Sequence, residues 1–163
     1  MKKILCIILS VFMFASTAYA SGSSYNDLYN IVEMGNYFFC LPDGFYEVSN
    51  DGTISIYQND NDELLAVSAE PSELDFSDVS NDEALSLMDS IFAESFGDEW
   101  AGALYSEKSG GCYKVGSILM GSNGFIIVAA TETSLATVVF QNLDLSNGYD
   151  LPHGVFKTLS FVE

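Results

Sequence analysis

Carboxylates are the most abundant side chains in this sequence that could do chemistry. The chain has 23 Asp and Glu residues against five Lys and no Arg, so close carboxylate pairs arise by chance. A glycosidase needs two particular carboxylates placed across a cleft. Asp98, Glu99 and Trp100 are the one cluster that resembles the edge of such a cleft. They are the candidate binding residues, and a carboxylate-dependent hydrolase built on Asp98 or Glu99 is one hypothesis.

A second acidic run, Asp60-Asn61-Asp62-Glu63, begins like a calcium-binding loop. Calcium prefers oxygen ligands, and an EF-hand loop needs glycine at its sixth position. With Asp60 as the first position, the sixth is Leu65, so an EF-hand is excluded. Asp60, Asp62 and Glu63 remain candidate ligands of a weak cation site in a calcium-stabilised surface module. The alternative is a solvated turn.

His153 is the only histidine, so a Ser-His-Asp or Cys-His arrangement would have to use it. It lies between Pro152 and Gly154, which predicts an exposed histidine in a surface connection. A single histidine also argues against histidine-rich metal sites. Gly110-Gly111 lacks the GxGxxG and Walker patterns, and no cofactor is expected.

Residues 1–20 are typical of a secretory signal peptide. Two lysines follow Met1, a nearly unbroken apolar run covers residues 4–15, and Ala18-Tyr19-Ala20 has the small-x-small cleavage pattern. Cleavage would leave residues 21–163 as one globular domain. No later stretch reaches the 18 consecutive apolar residues of a membrane-spanning helix. We therefore expect a secreted or periplasmic protein.

Cys40 and Cys112 are the two cysteines that remain after cleavage. Disulfides form and persist in oxidising compartments, so an even pair in an exported chain predicts a Cys40–Cys112 disulfide. The alternative is two free thiols buried as small apolar side chains.

Charge restricts the possible partners. The mature chain would carry three lysines against 23 acidic residues, a formal net charge of −20. Binding to nucleic acid or to an anionic membrane needs cations, so both are excluded as direct partners. The electric field of this negative charge favours a cationic partner. The alternative is that the charge only keeps the protein soluble. We expect a monomeric, non-catalytic binding protein, with an inhibitor or immunity-type protein that captures a basic enzyme as the sharper version.

Two segments have helical patterns. Tyr25, Leu28, Tyr29 and Val32 are spaced as one apolar face of a short helix ending near Gly35. Ser80-Asn81-Asp82-Glu83 fits a capping box that opens a longer helix with Gly97 as its stop.

Most other segments have strand patterns. Strands are predicted at 37–41, 45–48, 53–58, 64–69, 103–107, 112–120, 125–133 and 135–142, and a final helical turn at 154–159. The connection at 59–63 makes the clearest hairpin. One α+β domain follows, with an antiparallel sheet flanked by helices.

Two short motifs resemble the Mog1/PsbP-like superfamily, which includes bacterial DcrB-type exported proteins. Phe38-Phe39-Cys40-Leu41-Pro42-Asp43-Gly44-Phe45 is similar to the aromatic strand and Pro-x-Gly turn with which members open. Phe156-Lys157-Thr158-Leu159-Ser160-Phe161 is similar to their closing helix and strand. The resemblance covers most of residues 37–162. It implies an α/β/α sandwich and a non-enzymatic accessory or binding role, with no active-site motif to carry over.

Overall fold

The computed structural model describes residues 30–162, except 73, 75, 77–79, 110, 121 and 122. In this part of the chain, ten strands and two α-helices form one α+β domain, as the sequence predicts. The strands are β1 (Ile31–Met34), β2 (Tyr37–Cys40), β3 (Tyr46–Asn50), β4 (Ile54–Gln58), β5 (Leu64–Pro71), β6 (Trp100–Ser109), β7 (Cys112–Leu119), β8 (Gly124–Ala130), β9 (Ser134–Gln141) and β10 (Ser160–Phe161). The helices are α1 (Asn81–Phe96) and α2 (Asp150–Thr158), and 3-10 turns cover Gly97–Glu99 and Leu145–Asn147.

A seven-stranded antiparallel sheet forms the centre of the domain, with the order β3-β4-β5-β9-β8-β7-β6. The inner strand β8, between β9 and β7, is buried along its whole length. Phe125, Ile127 and Ala129 face one apolar cluster, and Ile126, Val128 and Ala130 face the other. Alternate residues of a strand point to opposite faces, so an unbroken apolar strand is stable only when both faces are covered.

Helix α1 covers one face of this sheet. Ala84, Met88 and Phe92 pack against it, with the i, i+4, i+8 spacing of one helical stripe. The predicted capping box is confirmed, because the Ser80 hydroxyl accepts from the backbone N–H of Glu83 and the Glu83 carboxylate accepts from the backbone N–H of Ser80. Gly97, with φ of 57°, ends the helix where the sequence predicted.

The opposite face is covered by a three-stranded sheet, ordered β1-β2-β10, and by α2. Helices thus lie on both sides of the central sheet, although part of one outer layer is β rather than α. Tyr37 and Phe39 of β2 and Val155 and Phe156 of α2 fill the core between them.

The predicted N-terminal helix is wrong for the residues that the structure describes. Residues 25–29 lie outside the described part of the chain, and Ile31–Met34 is strand β1, paired with β2 from Ile31↔Cys40 to Met34↔Tyr37. Val32 and Met34 are buried while Ile31 and Glu33 are exposed. This period of two fits a strand, and Gly35, at a φ of 58°, permits the tight turn into β2.

Two further elements begin at least three residues before their predicted start. The strand expected at 103–107 runs from Trp100 to Ser109, with register shifts opposite β7 that blur its alternation. The final helix begins at Asp150 instead of Gly154. His153 is therefore on α2, not in an irregular connection, and its ring stacks on Tyr105 at a centroid distance of 4.5 Å.

Candidate functional site

The structure separates the candidate cluster Asp98, Glu99 and Trp100 into an exposed part and a buried part. Asp98 and Glu99 are exposed in the 3-10 turn before β6. Trp100 is only 8 % exposed, and its ring packs beside Phe92 and Phe96 of α1. Its indole Nε1 donates to the Asp89 carboxylate at 2.8 Å. Trp100 thus belongs to the core, and only the two carboxylates face solvent.

The β4–β5 connection uses its acidic side chains to hold its own shape. Gln58 Nε2 donates to the Asp62 carboxylate at 2.8 Å. Glu63 is 7 % exposed and accepts from Asn59 Nδ2 at 2.6 Å and from the backbone N–H of Asp144 at 2.9 Å. Asp60 is exposed.

These bonds change the interpretation of the predicted cation site. Among the described residues, no group of three or more His, Cys, Asp or Glu side chains is placed to hold a metal ion. Asp62 Oδ1 and both carboxylate oxygens of Glu63 already accept hydrogen bonds from the protein. For Asp60, Asp62 and Glu63 these bonds favour the alternative, a solvated turn, which is held here by its own side chains.

The two acidic candidate groups lie at the same end of the central sheet. β4 and β9 finish at this end, β5 and β6 begin there, and Asp144 follows β9. We call this end the acidic end and define it by six carboxylates: Asp60, Asp62, Glu63, Asp98, Glu99 and Asp144. Four strand spacings of about 4.8 Å separate β5 from β6, so these groups span roughly 19 Å.

The acidic end keeps its negative charge and has no described lysine beside it. Asp144 accepts from the backbone N–H of Ser146, which lowers the pKa of its carboxyl below the usual 3.8 and keeps it charged. None of the described lysines lies at the acidic end. Lys108 and Lys114 lie toward the other end of β6 and β7, and Lys157 lies 3.8 Å from Glu107 of β6.

The predicted Cys40–Cys112 disulfide is not formed, and both residues are free thiols. Tyr37 and Phe39 point into the core, so strand alternation places the Cys40 side chain on the exposed outer face of β2. Cys112 is 2 % exposed inside the core. Burial raises the pKa of the Cys112 thiol to about 11, partly opposed by Lys114, and this keeps it protonated and unreactive.

Lys114 forms a buried ion network that the sequence pattern did not reveal. Its ammonium is inside the core and donates to the carbonyls of Phe156 and Leu159 at 3.1 and 3.0 Å, at the C-terminal end of α2. A cation is favourable there because a helix C-terminus carries partial negative charge. Desolvation lowers the pKa of Lys114, while Glu107, 3.8 Å away, opposes that shift. The sequence feature that could have indicated this network is a single lysine within a mainly apolar strand.

The end of the sheet opposite the acidic end contains a cleft of about 510 Å³. Five separate segments meet there: the β1–β2 turn, the segment before α1, the β6–β7 hairpin, the β8–β9 turn and β10. The lining residues are Asn36, Phe76, Lys108, Gly111, Tyr113, Thr131, Glu132, Thr133 and Phe161. We call this the cleft end.

Hydroxyl groups behind the cleft form a connected network. Tyr37 donates to the Ser134 carbonyl at 2.8 Å, and the Ser134 hydroxyl donates back to the Tyr37 oxygen at 3.0 Å. The Thr131 and Ser134 hydroxyls lie 2.9 Å apart. Burial is the main cause that raises the pKa of Tyr37, so it remains a neutral donor. The network ties the β8–β9 turn to the small sheet.

Comparisons with known proteins identify a fold. No family model and no curated protein sequence matches this chain. The solution structure of cyanobacterial PsbP (CyanoP) from Synechocystis sp. PCC 6803 is similar, with a TM-score of 0.55 and 17 % sequence identity. The match covers 88 % of this chain and 98 % of that one. No helix in the described residues is long and apolar enough to cross a membrane. At this identity the similarity speaks to the fold alone, and it shows that this chain has a PsbP-like fold.

Proposed function

We propose that this chain is an exported, monomeric, non-catalytic protein that binds a basic protein partner through the acidic end of its central sheet. The observation that carries the proposal is a run of carboxylates with no described lysine among them. Six carboxylates lie along one end of the sheet, whereas the described lysines lie elsewhere. Complementary fields of this kind accelerate association and select partners of opposite sign.

The extent of the acidic end supports a macromolecular partner over a small ion. Carboxylates spread over roughly 19 Å cannot all reach one metal, whose oxygen ligands lie at 2.3–2.6 Å for calcium. A basic protein can present several lysines or arginines across the same span. A formal charge of −18, or −20 after loss of residues 1–20, adds long-range attraction.

The two alternative functions have less support. A hydrolase at Asp98 or Glu99 would need a cleft that encloses the carboxylates, but both side chains are exposed and Trp100 is in the core. A calcium-stabilised module would need free oxygen ligands at Asp62 and Glu63, which already accept hydrogen bonds.

Association kinetics with lysozyme as a basic probe test the proposal. The test variant Asp60→Asn/Asp98→Asn/Glu99→Gln neutralises three exposed carboxylates of the acidic end. We expect the association rate at low salt to fall about tenfold, because steering depends on charge placed at the interface.

A matched control changes the net charge equally but elsewhere. Glu33→Gln/Asp82→Asn/Glu132→Gln also neutralises three exposed carboxylates, on β1, at the start of α1 and in the β8–β9 turn. We expect a loss of about twofold from this variant. Equal losses in both triple variants would mean that only net charge matters, and undetectable binding of lysozyme at low salt would end the proposal.

A further inference from the structure

We propose that the cleft at the opposite end of the sheet binds a free α-amino acid with an apolar, ring-bearing side chain, in its zwitterionic form. This site is independent of the acidic end. Its chemistry follows from three features that line one cavity: a cation, a carboxylate and aromatic rings. A zwitterionic amino acid offers a group complementary to each.

Lys108 provides the cation, and its position is set by neutral groups. Its ammonium donates to the Asn81 amide oxygen at 2.7 Å and lies 4.9 Å from the centre of the Tyr113 ring. Neither contact neutralises its charge, and among the described residues Lys108 has no carboxylate within ion-pair distance. A ligand carboxylate can therefore pair with it. Lys114 and Lys157, by contrast, both pair with Glu107.

Glu132 provides the carboxylate from the β8–β9 turn. It lines the same cleft, is exposed, and makes no ion pair with any lysine in the described chain. The neighbouring Thr131 is held by the hydroxyl network with Ser134, which fixes the turn. A ligand ammonium can pair with Glu132, while the Thr133 hydroxyl and the Asn36 amide add hydrogen-bonding groups to the rim.

Three aromatic rings line the cleft. Tyr113 and Phe76 contact each other with ring centroids 4.6 Å apart, and the half-buried Phe161 packs on Tyr37 at 5.2 Å. Such rings pack well with an apolar or aromatic side chain. Pockets for small molecules commonly enclose about 300–1,000 Å³ and combine an apolar lining with a few placed polar groups. The cleft, at 510 Å³, is within this range, and its lining combines three aromatic rings with polar and charged side chains.

The charge of the whole protein also favours this ligand class. A formal charge of −18 repels small anions, even though Lys108 would attract a carboxylate locally. A zwitterion has no net charge, so it approaches without this repulsion and still presents both charged groups inside the cleft.

Titration with L-phenylalanine, followed by amide NMR shifts, tests the proposal. We expect saturable shifts at the residues that line the cleft, with a dissociation constant of about 1 mM or below. Three analogues separate the contributions: 3-phenylpropanoate lacks the ammonium, 2-phenylethylamine lacks the carboxylate, and N-acetyl-L-phenylalanine amide lacks both charges. Each should bind about fivefold or more weakly.

Two variants assign the charges. Lys108→Met and Glu132→Gln should each weaken L-phenylalanine binding about fivefold. Lys157→Met and Glu94→Gln remove exposed charges of the same kinds on α2 and α1, and should leave binding unchanged. All four positions are exposed, so an unchanged melting temperature verifies folding.

Several outcomes would overturn the proposal: the absence of saturable shifts, equal binding of all four compounds, or unchanged binding in both Lys108→Met and Glu132→Gln. The acidic-end variant Asp60→Asn/Asp98→Asn/Glu99→Gln should bind L-phenylalanine like the wild type. Failure of lysozyme binding therefore leaves this proposal intact, and the reverse also holds.

Discussion

Polar turns connect the strands at both ends of the central sheet. The hydrogen bonds that hold these turns differ between the two ends. At the acidic end, side chains cap their own turn, as Asn59 and Glu63 do within four residues of each other. At the cleft end, Tyr37 reaches Ser134 across 97 residues of sequence. At the acidic end, Asp60, Asp98 and Glu99 remain exposed to solvent. The contacts at the cleft end enclose hydroxyls and rings around a cavity.

This difference is the basis for our proposals of a protein partner at one end and a small ligand at the other. Charges that face solvent act at long range and can meet an extended surface. The groups that line the cleft come from distant segments of the chain and instead enclose a cavity of fixed volume. The cleft end should accordingly be the more sensitive to disruption of tertiary contacts.

The largest effect is expected at Lys114, which lies in the cleft-end half of β7. Lys114→Met leaves the buried carbonyls of Phe156 and Leu159 without their donor, and we expect a loss of about 3 kcal/mol in the free energy of unfolding by urea. Lys157→Met is the control, because that side chain is 60 % exposed and should cost at most about 0.5 kcal/mol. A loss below about 1 kcal/mol for Lys114→Met would contradict this account.

A smaller effect is expected at Glu63, the one well-buried carboxylate of the acidic end. Both oxygens of Glu63 accept, so in Glu63→Gln the amide NH2 must face a donor, either Asn59 Nδ2 or the backbone N–H of Asp144. Asn59 cannot flip without losing the bonds that its oxygen accepts from the backbone of Asn61 and Glu63. We expect a loss of about 1–2 kcal/mol in the free energy of unfolding. Asp60→Asn, at an exposed position of the same turn, should change it by less than about 0.5 kcal/mol. Equal effects would mean that burial does not distinguish these residues.

Alkaline pH should weaken the cleft end through Cys112, the first residue of β7. The native thiol has a pKa of about 11 against an ordinary 9.0, so the folded state keeps a proton that the unfolded state loses. The contribution of this group to stability is therefore complete below about pH 9 and declines as the pH rises to about 11. The stability of Cys112→Ala should fall less steeply than that of the wild type over this range.

Counting the reactive thiols distinguishes two free cysteines from a Cys40–Cys112 disulfide. In protein that begins at Ser21, a thiol reagent at neutral pH should titrate one group, the exposed Cys40, and a second only after unfolding. A count of zero in the unfolded, unreduced protein would restore the Cys40–Cys112 disulfide.

The smallest effect on stability is expected at Asp144, a carboxylate of the acidic end that becomes protonated at low pH. Hydrogen bonds from Ser146 lower the folded pKa of this carboxyl, so its contribution to stability is present above its usual pKa of 3.8 and is lost as the pH falls through the lowered value. Asp144→Asn should show a shallower loss of stability in acid. Asn142→Ala removes a neutral side chain from the same connection and should retain the slope of the wild type.

Local sequence signals predicted much of the fold. The Ser80 capping box, the Gly97 stop and the hairpin around residues 59–63 were all correct, because each depends on side chains within a few residues of one another. The strand at Ile31–Met34 was missed, because only its pairing with Tyr37–Cys40 reveals its period of two. Trp100 was placed in a candidate site, because its neighbours Phe92 and Phe96 come from a separate helix.

The sequence by itself determined the α+β class, the capped central helix and a strongly acidic chain, because composition and short-range periodicity specify all three. Tertiary structure alone decided which carboxylates share one end of the sheet, that Cys40 and Cys112 face away from each other, and that Lys114 is buried beneath α2. It also assembled the cleft from five separate segments. The physical reason is that strand order and register set which distant residues meet, and neither is encoded within any one segment of the chain.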